Sequence, residues 1–205
     1  MKKTLLSLFA AVSLGASSLL ALPTVSLSTV VGDSSGALGG GAFNAATQSE
    51  GVFRTFCLES QVTMRLGTTY FYDWSNVVMN QNDPISMASA LLMNHYALGL
   101  FGANYAAWGG ATGLQQAFWY LEGEANGANN AFVNFAMTTL PATWNQNANG
   151  AYGVRVMNLW SNSNGTGDRQ SQIAYFGVPD AGSTLAMSAL AMAGLLAFTR
   201  RRNRG

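Results

Sequence analysis

The chain predicts an α+β fold, a single domain with flanking antiparallel β-strands and about three central helices, on three observations. Strand-like alternation rich in β-branched and aromatic residues runs from Val52 to Tyr72. Three segments with helical periodicity and their own start and stop signals follow between Asp83 and Pro141. Alternation then returns from Tyr152 to Phe176 around a turn-rich centre. Strands before and after a helical block, with no internal repeat, are the signature of an α+β rather than an alternating α/β chain.

Each element has a local reason. The segment 23–40 is rich in Ser, Gly, Ala and Thr and is expected to be a flexible lead-in to a body over 41–177. Val52–Met64 reads as a strand, Gly67 turns the chain, and Thr68–Tyr72 continues as strand. Asp83-Pro84 offers a cap and a first helical residue, with Ile85, Ala88, Leu91, Leu92, Tyr96 and Leu98 as the buried face. Gly102–Gly110 is expected to be a loop. The next helix has Thr112 as cap and Gly123 as stop, with Leu114, Ala117, Phe118 and Leu121 on one stripe and Gln115, Trp119 and Glu122 beside it. A third helix spans Asn130–Leu140 and is closed by Pro141. Tyr152–Trp160 and Arg169–Phe176 are the returning strands, joined through Asn162–Asp168.

The formal charge of +1 hides an uneven distribution, because six of the ten basic residues lie at the chain's ends. Between Thr24 and Gly177 four arginines face eight carboxylates, so the body is mildly acidic. Without a basic patch to neutralise phosphates, nucleic acid is excluded as a partner.

Both ends read as export signals. Lys2 and Lys3 precede the apolar run Leu5–Leu14 and the small residues of Ala16–Ala21, the pattern of a secretory signal peptide over 1–22. At the other end an apolar run from Leu185 to Phe198 is followed by Arg200, Arg201, Arg202 and Arg204. Arginines in that position hold the terminus in the cytoplasm and place the body outside the inner membrane. The run is shorter than the roughly 20 residues that span a bilayer, which suits a temporary hold. Val178, Pro179, Asp180, Gly182, Ser183 and Thr184, then the apolar helix and the arginine cluster, resemble the VPDSG-CTERM form of PEP-CTERM sorting signals over 178–205. The resemblance implies export machinery and an exosortase as partners, transient residence in the inner membrane, and delivery to the cell surface or extracellular matrix of a Gram-negative bacterium. It implies nothing about the body.

Cys57, the single cysteine, excludes an internal disulfide, so it is inert core, paired between chains or chemically used. Phe56-Cys57 on a strand and Leu114-Gln115-Gln116-Ala117-Phe118-Trp119 at the start of a helix resemble the motifs of bacterial surface thioester domains. That resemblance implies attack of the Cys57 thiolate on the Gln115 carboxamide, loss of ammonia, and a thioester shielded by Phe56, Phe118 and Trp119. An amine or hydroxyl of a surface or matrix partner could then be acylated by Gln115, with no cofactor. The competing account of Gln115 is local: Thr112-x-x-Gln115 fits a capping box, which needs no cysteine.

Other residues point to less. His95 is the only histidine and sits among apolar neighbours, and no cluster has metal-ligand spacing. Glu122 and Glu124 diverge on or beyond a helix and read as solvated charge, although Glu59, Asp73 or Asp83 could approach one of them to make a glycosidase pair. Trp74, Trp108, Tyr105 and Trp144 could stack on glycan if exposed, with core burial the plainer account. The sequence therefore predicts a non-enzymatic exported surface or biofilm-matrix protein acting as a covalent adhesin through Cys57 and Gln115. The alternative is a non-covalent glycan-binding or structural matrix protein with an inert cysteine.

Overall fold

A computed structural model describes residues 21–33, 40–79 and 83–177. The expected signal peptide, apart from its last two residues, and the whole expected sorting signal from Val178 to Arg202 and beyond lie outside these residues. Among the described residues eight strands and four α-helices form one α+β domain: β1 Thr24–Thr29, β2 Phe43–Thr47, β3 Val52–Cys57, β4 Thr69–Ser75, β5 Val77–Val78, β6 Asp83–Pro84, α1 Met87–Ala97, α2 Asn104–Ala107, α3 Gly110–Leu121, α4 Ala131–Thr139, β7 Val154–Asn162 and β8 Thr166–Tyr175.

Six of the strands close an antiparallel barrel in the order β1-β2-β3-β8-β7-β4, with β1 pairing β4 to remove the edges. The expected flexible lead-in is corrected by this closure. Val25 and Leu27 alternate with Ser26 and Ser28, and the inward pair is buried among Phe43, Ala45, Tyr70, Tyr72, Met157 and Leu159. Leu22 and Pro23 are already bonded, Leu22 N–H donating to Ser163 O (3.3 Å) and Pro23 O accepting from Tyr72 N–H (2.9 Å).

A barrel this small has no channel, so side chains fill it. The indole of Trp119 joins that filling from helix α3, while Phe56 turns outward into a second core shared with Leu92, Leu114, Phe118 and Phe132. Adjacent residues of one strand thus serve different cores, because their side chains point to opposite faces.

Several helix boundaries move. Asp83-Pro84 does not start α1. It forms β6 against Val77–Val78, and Ser86 caps the helix by accepting from Ser89 N–H at 3.1 Å. Leu98, expected to be buried, is 51% exposed just past the helix end. The expected Gly102–Gly110 loop contains α2. Thr112 lies inside α3, which starts at Gly110 with no side-chain cap at Gly109. Gly123 does follow the helix, at φ +75°, and Asn130 caps α4 through Oδ1, accepting from Phe132 and Val133 N–H. β3 stops at Cys57, short of the Met64 expected, and an irregular segment leads on to β4.

Candidate functional site

Cys57 is the last residue of β3 and pairs with Gln172 of β8 on one side. On the other side β2 begins at Phe43, opposite Thr55, so continuing that register by two residues would set Gly41 against Cys57. The ladder does not close there. The Gln115 side chain, reaching in from α3, occupies the gap: its Oε1 accepts from Cys57 N–H at 3.0 Å and from Gly41 N–H at 3.1 Å, and its Nε2 donates to Cys57 O at 2.8 Å. Four polar groups that burial would otherwise orphan are satisfied together.

Both residues are 0% exposed. The expected capping box is therefore corrected, since the Gln115 carboxamide leaves its own helix to bond across the core. Space for it depends on Gly40, where an added Cβ would stand 2.8 Å from both Gln115 Cγ and Trp119 Cη2. Phe118 packs on Phe56 at 5.2 Å between ring centroids, and Trp119 is 1% exposed. Of the shielding residues expected from sequence, Trp119 lies beside Gln115 over Gly40, whereas Phe56 and Phe118 pack on each other in the second core.

The thiol is held by residues that sequence reasoning missed. Cys57 S–H donates to Gln170 Oε1 at 2.9 Å, and Gln172 Nε2–H points to Sγ at 3.7 Å. Gln170 is itself fixed by donating from Nε2 to Glu59 O, and Glu59 Oε2 accepts from Ser171 N–H at 2.8 Å. Burial pushes the Cys57 thiol from an ordinary 9.0 to about 12, the hydrogen bonds from Gln172 and Gly41 opposing the rise and the Glu59 charge adding to it. The signal that could have found Gln170 and Gln172 was their two-residue spacing in a strand, which puts both on one face.

This arrangement has the parts of an acyl-transfer site. Two backbone N–H groups converge on the carbonyl oxygen that would gain charge when sulfur adds to Cδ. The nitrogen that would leave is oriented by a backbone carbonyl. Water is excluded, since neither reacting residue reaches the surface.

The remaining candidates separate. Glu122 and Glu124 are not solvated charges: Glu122 Oε1 accepts from Ser86 Oγ (2.9 Å) and Ser89 Oγ (2.5 Å), whereas Glu124 Oε2 accepts from Ser60 N–H (2.8 Å) and Oγ (2.9 Å). Burial raises the Glu122 carboxyl against the lowering effect of those serines. Glu59 serves β8, and Asp73 accepts from Trp160 Nε1–H at 2.9 Å, so these carboxylates are committed to different partners. His95 Nδ1 lies 3.0 Å from Leu91 O, and the ring packs on Phe101 and Phe135. Trp74, Trp108, Tyr105 and Trp144 are half-buried against the two cores.

Comparison with protein families, with curated proteins and with solved structures gives no match. The geometry alone defines the class: a closed antiparallel barrel with a helical cap, holding a buried Cys–Gln pair where the two meet.

Proposed function

We propose that this is an exported surface or extracellular-matrix protein, processed by an exosortase, that attaches covalently to a partner through a Cys57–Gln115 thioester. The observation that carries the reading is the seating of the Gln115 carboxamide on both backbone groups of Cys57, with its oxygen between two N–H donors. A glutamine needed only to fill space would not require that its oxygen face two convergent donors beside the chain's single thiol.

The step balances without a co-reactant. Cys57 sulfur adds to Gln115 Cδ, the oxygen gains charge between Gly41 and Cys57 N–H, and the tetrahedral centre collapses by breaking Cδ–Nε2. The thiol proton departs on nitrogen as ammonia. In the second half an incoming amine adds to the same carbon, the C–S bond breaks, and sulfur regains a proton, leaving the target amide-linked to Gln115. Shielding by Phe56, Phe118 and Trp119 keeps water from competing.

A second reading rests on its own observation. With the thiol raised to about 12 and donating to Gln170, Cys57 can equally be an inert core residue in a matrix protein that binds glycan non-covalently. Peptide mapping of protein recovered from the cell surface after methylamine treatment separates the two. Covalent adhesion predicts methylamine on Gln115 and a newly alkylatable Cys57, in a chain that has lost both the signal peptide and the arginine tail. An unlabelled Gln115 leaves the non-covalent reading, and a full-length chain held in the inner membrane removes the export reading.

A further inference from the structure

The irregular segment after β3 separates two hollows that share Thr63 and Met64. The smaller, about 130 Å³, is lined by Trp119, whose ring shares the space over Gly40 with the Gln115 side chain, and by Gln170, which accepts from the Cys57 thiol. The larger, about 470 Å³, is lined by Arg65 and Arg169 together with Thr68, Thr69 and Ser161.

That lining is unusual for this body, which has only four arginines. The other two are engaged elsewhere, Arg54 with Asn44 Oδ1 and Arg155 6.0 Å from the Phe176 ring centroid. Arg169 gives one N–H to Asp168 O at 2.9 Å, and the Arg65 guanidinium has no partner among the described residues. Neither is paired with a carboxylate among those residues, although eight acids lie in the body. Two guanidinium forks lining one cleft, neither engaged by a carboxylate, suit a carboxylate ligand.

We infer that the arginine cleft docks an acidic polypeptide segment of the acylation target and thereby presents a neighbouring lysine amine to the smaller hollow. This rests on the thioester reading for the transfer step but not for the docking itself. A polypeptide fits both hollows because it offers a strong amine nucleophile within a few residues of Asp or Glu carboxylates, whereas a uronate polymer offers carboxylates with hydroxyls only.

The test uses the full chain and two synthetic peptides, one with a lysine between Asp and Glu residues and a twin with Asn and Gln in their place. Fluorescence anisotropy on the Cys57→Ala protein reads docking alone, and mass spectrometry on the wild type reads transfer to Gln115. The acidic peptide is expected to bind and to be acylated about tenfold better than its twin, with the advantage falling as salt rises and vanishing in Arg65→Gln/Arg169→Gln. Equal behaviour of the two peptides, an advantage that survives the double substitution, or stronger competition by a hexuronate oligosaccharide than by free acidic peptide overturns the inference. Methylamine labelling of wild-type Gln115 is read in parallel, so a cleft that fails to discriminate is distinguished from a Cys57–Gln115 pair that never reacts.

Discussion

Gln115 and Cys57 constrain each other through the backbone as much as through the reacting atoms. Removing the Gln115 carboxamide would orphan the N–H and C=O of Cys57 and the N–H of Gly41, each buried polar group costing about 1–3 kcal/mol, so activity and stability are entangled at this residue. The thiol gives a cleaner handle. If the proposed thioester forms, protein opened with methylamine carries a free Cys57 thiol that keeps its proton to about pH 12 when folded but loses it near 9 when unfolded. Across that window the native state binds more protons than the unfolded state, so stability falls as pH rises, by on the order of 1 kcal/mol per pH unit. Urea titrations at several alkaline pH values should show this loss in the opened protein and not in Cys57→Ala. A parallel pH dependence in both would mean that the thiol is not the titrating group.

Helix α3 is the element that makes the site, since it carries the carboxamide proposed to react, Phe118 and the Trp119 indole that enters the barrel. Its approach is set by the absence of a side chain at Gly40. Gly40→Ala would bring a Cβ to 2.8 Å from Gln115 Cγ and 3.0 Å from Gln115 Cδ, so the carboxamide must shift from its two donors. The expected result is a destabilisation of about 1–3 kcal/mol and a lowered fraction of methylamine-reactive protein, measured by denaturant unfolding and labelling stoichiometry. Full reactivity with native stability would show that the site tolerates a different path for the carboxamide. The apolar stripe of α3 and the start of α4 at Asn130 were legible in sequence because both are local patterns. Gly41 was not, because its contact with Gln115 spans 74 residues and depends on where β2 stops. The Asp83-Pro84 start failed for a related reason: a short strand pair claimed those residues, and Ser86 offered a cap nearer the apolar run.

At the scale of the whole molecule the barrel joins chain segments far apart in sequence. β1 closes against β4, and β8 returns to lie beside β3, so the strand ending in Cys57 is fixed by the last described strand of the body. Thr24–Thr29 escaped a composition-based reading as strand because serine and threonine dominate it, although its period-two pattern of Val25 and Leu27 was present. Phe-Cys and Leu-Gln could be matched as motifs, but Gln170 and Gln172 enter the site only once β8 is in register. Whether that convergence on one buried pair yields a bond is read by intact mass spectrometry of the purified protein under denaturing conditions. The expected mass is lower by one ammonia than the processed sequence requires, a deficit absent in Cys57→Ala and reversed by methylamine addition at Gln115. A wild-type mass equal to that of the processed sequence, with Cys57 fully alkylatable after unfolding, would contradict the proposed bond.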